Sequence, residues 1–207
     1  MAVTSPAAVA RTMAVHGNAG GGALIVRFFA AFWVILVLGF LIHWWADRRR
    51  HGPRPQRAVE LLLVWVVVLG GLWTILAGLG LTGGGAHRDA ISGGYTPSMY
   101  EWEVGWADIA IGALGVACAW RALRGQWMTA AVVVLAISFG GDAIGHVMAW
   151  SAHSDTAAAN VWAIPADLLQ AGLAAALLII YRRLHRAEPG LPGSALSGAH
   201  QGTVRPR

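Results

Sequence analysis

No lysine occurs in the 207 residues, so the positive charge is carried by arginine alone. The glycine-rich stretch 82–99, with Gly83, Gly84, Gly85, Gly93 and Gly94, therefore lacks the Gly-Lys-Ser or Gly-Lys-Thr of a Walker-type phosphate loop. Cysteine is nearly absent as well. Cys118 stands alone, which rules out an internal disulfide and any paired-cysteine metal motif and leaves the redox compartment open. Charge is scarce, with 12% charged residues against 57% hydrophobic ones, and that balance excludes an ordinary soluble domain. The first 22 residues have no compact basic region leading to a cleavage site, so they do not read as a signal peptide.

What remains is long apolar runs, 27 glycines and 11 tryptophans, the composition of a polytopic membrane protein. The fold class expected is all-α: one bundle of five transmembrane helices over residues 23–184, with spans at about 23–45, 58–81, 101–121, 127–150 and 160–181. The tails 1–22 and 185–207 are small-residue and polar, and are expected to be disordered. Span one ends in Trp44 and Trp45 followed by Asp47, Arg48, Arg49 and Arg50, an aromatic anchor and then a stop-transfer cluster. Pro53 and Pro55 interrupt the basic linker to span two. Trp127 and Trp150 bracket span four as interfacial belts do.

Arginine placement sets the expected orientation. Arg48, Arg49, Arg50, Arg54 and Arg57, then Arg121 and Arg124, then Arg182, Arg183, Arg186, Arg205 and Arg207 fall on one side of a five-span chain; Arg11 and Arg88 fall on the other. The positive-inside rule puts the N-terminus outside and the C-terminus in the cytoplasm. These arginines follow hydrophobic spans and form no separate basic domain, so nucleic acid is not an expected partner. The expected partners are the lipid bilayer and either a second copy of the chain or other subunits of a membrane complex.

Ionisable residues inside the spans are the informative ones, because hydrocarbon makes them costly. At 1.5 Å per residue, Glu103 and Asp108 of span three, Asp142 and His146 of span four, Asp167 of span five and Arg27 of span one all fall roughly 5 to 12 Å below the outer boundary. Gly105, Asp108, Gly112, Gly115 and Ala119 recur at three and four, a small-residue stripe that turns Asp108 toward protein. Asp142 lies one turn before His146, where a carboxylate and an imidazole can touch, and Gly141 and Gly145 match a helix-pairing pattern on the same face. Four carboxyls gathered in hydrocarbon cannot all stay ionised, so at least one is expected to be neutral, with Arg27 and His146 compensating others.

Plainer readings stand beside this one. Glu103 lies close enough to the boundary to reach water, and Arg27 can snorkel outward. Asp108 and Asp142 can act as interhelical glue, and Asp167 can stabilise a helix N-terminus. A metal held by His146, Asp142 and further carboxylates would be unusually oxygen-rich for zinc, and none is assigned. No cofactor is assigned either. No nucleophile with a positioned base is visible, so no catalytic residue is named.

Glu103-Val104-Gly105 with Ala107, then Gly112 and Gly115, then Gly141 to Gly145-His146 and Asn160 before Asp167, resembles an uncharacterised family of small prokaryotic integral-membrane proteins, a domain of unknown function. The likeness runs over spans two to five. It implies a multi-pass protein of a prokaryotic inner or plasma membrane in which Glu103, Gly105 and His146 match the pattern, and it implies no activity. The chain departs from the pattern at Ala77-Gly78-Leu79, where members carry a histidine, and at Asp142, which the pattern lacks. A fainter likeness is to DoxX-type proteins, small four-span proteins linked to quinone chemistry, through glycine-rich spans with an early glutamate. Two functions follow as expectations. One is a polar site that binds a proton, a cation or a small polar solute in a small transporter or complex subunit. The alternative is an accessory quinone-linked oxidoreductase whose acid and histidine relay protons.

Overall fold

A computed structural model describes the backbone of residues 6–51, 55–82, 96 and 98–186; side chains are described for 22–50, 55–82, 96 and 98–185. Most of the glycine-rich loop and of the expected C-terminal tail lies outside these residues, whereas the expected N-terminal tail is helical from Pro6 onward. The described residues form five α-helices and no strand. They are α1 (Pro6–His51), α2 (Pro55–Thr82), α3 (Tyr100–Ala117), α4 (Arg124–His153) and α5 (Ala158–Arg186), with a short 3-10 turn, Arg121–Leu123, before α4.

Four segments are long and apolar enough to cross a membrane: Gly22–Arg50, Pro55–Thr82, Arg121–His153 and Ala158–His185. Helix α3 stands apart because Glu101, Glu103 and Asp108 fall within its 18 residues. The helices overrun the expected spans at most ends, since polar residues continue the hydrogen-bonded ladder beyond the apolar run. Pro165, expected in the first turns of span five, lies farther in because α5 starts at Ala158. Lacking an N–H, it leaves the Val161 carbonyl without its usual helical donor.

Helix α2 is the hub. Leu61, Leu63, Val66 and Val67 are almost fully buried, and the last three share a core cluster with Phe32 and Leu36 of α1, Leu135 of α4 and Ala174 of α5. Against α3 the contact is backbone on backbone. A Cβ at Gly112 would lie 2.9 Å from the Ile75 nitrogen, and one at Gly115 would lie 2.8 Å from the Val67 carbonyl oxygen. Only hydrogen side chains allow that approach, the device by which membrane helices pack when lipid supplies no hydrophobic drive. Gly141 and Gly145 behave otherwise: nothing lies within 4 Å of a Cβ built at either, so the pairing pattern on α4 meets no partner among the described residues. The outer faces carry exposed apolar side chains such as Ile42, Ile137 and Ile144, as lipid-facing surfaces do.

Each end is tied down by polar contacts. Arg57 reaches back to the end of α1, donating from Nε to Asp47 Oδ2 at 2.9 Å and from Nη2 to Asp47 Oδ1 at 3.1 Å, while Nη1 reaches Glu60 at 2.7 Å. Arg124 donates to the Cys118 and Ala119 carbonyls, both at 3.1 Å, satisfying orphan groups where α3 ends. At the opposite end, Ser154 adopts a left-handed φ of 53° that stops α4, and Asp155 accepts from the Ala157 amide at 2.9 Å as α5 begins. This tight turn makes α4 and α5 an antiparallel hairpin.

Candidate functional site

A cavity of 210 Å³ opens among all five helices. Helix α1 contributes Phe28, Phe29, Phe32 and Trp33, α2 contributes Trp73, Thr74 and Ala77, and α3 contributes Asp108. Phe139, Asp142 and His146 come from α4, and Ala163, Ala166, Asp167 and Gln170 from α5. The lining on α2 and α5 follows i, i+3 and i+4, the spacing that keeps residues on one helical face. The cavity is two-sided in chemistry, with an aromatic wall mostly from α1 and an acid, amide and imidazole wall from α3, α4 and α5.

Of the six residues expected to converge, Asp108, Asp142, His146 and Asp167 line this cavity, and Glu103 and Arg27 do not. Both of the latter are exposed. Helical geometry gives the reason: at about 100° per residue, Glu103 points roughly 140° away from Asp108, and Arg27 lies at least about 100° from each aromatic residue that α1 turns inward. Equal depth did not mean equal direction. Asp142 lines the cavity yet is itself exposed, so it stands at the opening.

His146 and Asn160 form the most constrained part of the site. Asn160 is fully buried, and its side-chain amide donates to the His146 carbonyl at 3.2 Å and to the Asp155 carbonyl at 3.1 Å. With both amide protons committed, Oδ1 is the atom turned to the imidazole, 2.6 Å from Nδ1. Two acceptors cannot share that distance, so Nδ1 carries a hydrogen. Nε2 is then the nitrogen that gains or loses a proton. It faces Asp167 Oδ2 at 4.0 Å, with the two side chains 23% and 16% exposed. A ring held through one nitrogen presents the other in a fixed direction. Among the described residues no three or more His, Cys, Asp or Glu are grouped so as to hold a metal ion.

Three contributors escaped the sequence reading. Asn160 was noted only as part of a family pattern, although a fully buried amide at a helix start signals a local backbone lock. Gln170 follows Asp167 by three residues, on the same face, and that spacing was the available signal. It is 8% exposed, and its Nε2 has no hydrogen-bond partner among the described residues. Trp73 is the third, and its indole N–H is likewise buried and unpartnered. Trp73 packs against Phe28 and Phe32 with ring centroids 4.9 and 5.8 Å away. Gly70 makes room for Gln170, whose Nε2 occupies the position that a Cβ would take.

These features define an all-helical protein of the multi-pass membrane type, with a polar and aromatic cavity enclosed by its helices. Residues 26–187 match the model of a family of unknown function, DUF6790, and the chain belongs to that family. No curated protein and no solved structure matches it.

Proposed function

We propose that the protein is a proton-exchanging solute-binding protein of a prokaryotic cell membrane, acting as a small transporter or as a subunit of a larger membrane complex. In this reading α3 is a fifth crossing. Its 18 residues extend about 27 Å, close to the hydrocarbon thickness, and its glycines seat it on α2. The arginine distribution supports an external N-terminus, and in this reading the cavity lies in the outer half of the bilayer.

One observation carries the proposal. His146 is held by Asn160 with Nε2 turned to Asp167 Oδ2 at 4.0 Å, so the pair can exchange a proton at the wall of a cavity once they close to hydrogen-bond distance or a water bridges them. Asp108 and Asp142 on the same wall would let a bound cation and a proton compete for one set of carboxyls. The test is proton movement in vesicles containing the purified full-length chain, read by a trapped pH indicator. Wild type should show proton uptake above protein-free vesicles, and His146→Ala and Asp167→Asn should each abolish it while the protein still elutes as a folded species. Equal uptake in wild type and both variants would reject the proposal.

A quinone-linked oxidoreductase is the second reading, favoured by the two unpartnered donors Trp73 Nε1 and Gln170 Nε2, which suit ring carbonyl oxygens. Solvent extraction of the purified protein should release a quinone if this reading holds, and an extract without one counts against it.

A further inference from the structure

We infer that the solute is a small protonated alkyl amine that also carries an oxygen acceptor, an amino alcohol with an aryl or alkyl body. The inference rests on reading the cavity as a binding site, and it names what that site would select.

Charge comes first. Three carboxyls line the cavity and the only basic group among its lining residues is His146, since Arg27 points elsewhere. A wall of this kind in a low-dielectric setting favours a cation over an anion or a neutral polar guest. The opposite wall selects among cations. Phe28, Phe32 and Trp73 form a packed aromatic surface, and ring faces attract an ammonium or an apolar body far better than they replace the tightly held water of a small metal ion. Carboxyls on one side and aromatic rings on the other suit an organic ammonium group.

The two buried donors supply the remaining requirement. Gln170 Nε2 and Trp73 Nε1 have no acceptor among the described residues, and an unsatisfied buried donor costs about 1–3 kcal/mol. Gln170 Nε2 lies packed against Gly70 with almost no surface of its own, so a guest oxygen reaches it when the flexible Gln170 side chain turns its amide into the cavity that the residue lines. Gln170 is over nine-tenths buried, and Gly70 is what admits its amide to this position, so the donor is built into the wall. Size bounds the guest: 210 Å³ is roughly the share of seven liquid waters and falls below the drug-sized range. About ten non-hydrogen atoms fit. Asp142, exposed at the opening, is the first carboxyl an arriving cation would meet.

Three probes that differ by one group test this on the full-length chain in lipid nanodiscs, followed by tryptophan fluorescence and calorimetry. They are 2-amino-1-phenylethanol, 2-phenylethylamine and 2-phenylethanol. The hydroxylated amine should bind saturably and most tightly, and the neutral alcohol about tenfold or more weaker. Asp167→Asn should weaken both amines by about tenfold and leave the alcohol unchanged. Gln170→Leu should reduce the preference for the hydroxylated amine over the plain one. Absence of saturable binding by all three probes, or equal binding of alcohol and amine, overturns the inference. Proton uptake in the same preparation separates the failures: uptake without amine binding removes only the amine assignment, whereas loss of both also removes the proton-exchange reading beneath it.

Discussion

Asn160 dictates which nitrogen of His146 holds a hydrogen: its two amide protons go to backbone carbonyls, and its oxygen lies 2.6 Å from Nδ1. The imidazole therefore turns Nε2 toward Asp167 in either charge state.

Replacing Asn160 should release that choice. In Asn160→Leu, nitrogen NMR of labelled histidine is expected to show His146 as a mixture of tautomers, against a single Nδ1–H form in wild type. Stability should fall by about 1–3 kcal/mol, because two carbonyls and a ring nitrogen lose their partner. An unchanged tautomer in the variant would show that something other than Asn160 holds the ring.

The glycines of the bundle should divide into two classes. Gly112→Ala places a Cβ against the α2 backbone and is expected to cost about 1–3 kcal/mol through overpacking. Gly141→Ala and Gly145→Ala meet open space and should change stability by no more than about 0.5 kcal/mol. Thermal unfolding in one detergent compares all three. Similar losses at Gly112 and Gly141 would mean that a second copy of the chain covers the α4 face.

Gly70 and Gln170 should be energetically coupled. Gly70→Ala alone displaces the Gln170 amide, the far end of a flexible side chain, and is expected to cost less than Gly112→Ala, whose Cβ meets backbone. Most of that cost should vanish in a Gln170→Ala background, a non-additivity that a double-mutant cycle measures directly. Strict additivity would contradict the contact.

At the other end, Arg57→Ala removes the two-pronged guanidinium from Asp47, which is 8% exposed. The expected loss is about 1–3 kcal/mol, below that of a fully buried pair because Arg57 keeps 21% of its side chain exposed. Arg57→Lys should recover only part of it, since an ammonium lacks the fork that meets both carboxylate oxygens. Chemical unfolding curves would show the order wild type, Lys, Ala; equal midpoints for the last two would argue against the two-pronged contact.

Much of the fold was legible before any coordinates. Apolar runs marked the helices to within a few residues at most ends, and the stripe Gly105, Gly112 and Gly115 identified the face of α3 that meets α2. The neighbouring inference from Gly141 and Gly145 did not carry over to a contact within the chain, although the spacing was just as regular. The difference lies in the partner: Gly71 and Gly78 wait opposite α3, and among the described residues nothing waits opposite Gly141 and Gly145. A repeat on one helix does not state what stands across from it.

Residue order alone determined how far along each helix a costly side chain sits, because rise per residue is constant and the price of burying charge restricts where acids occur. It also determined the helical class, through apolar runs too long and too poor in charge for anything else. The direction each side chain takes around its helix was decided only by packing. Where both lipid and neighbouring helices are apolar, the inward and outward faces of a span carry similar residues, and composition leaves them alike. So Glu103 and Arg27, expected at the depth of the cavity residues, face away, while Gln170 and Trp73, unremarkable in one dimension, became parts of a single wall and Asn160 the lock on His146 once five helices were set side by side.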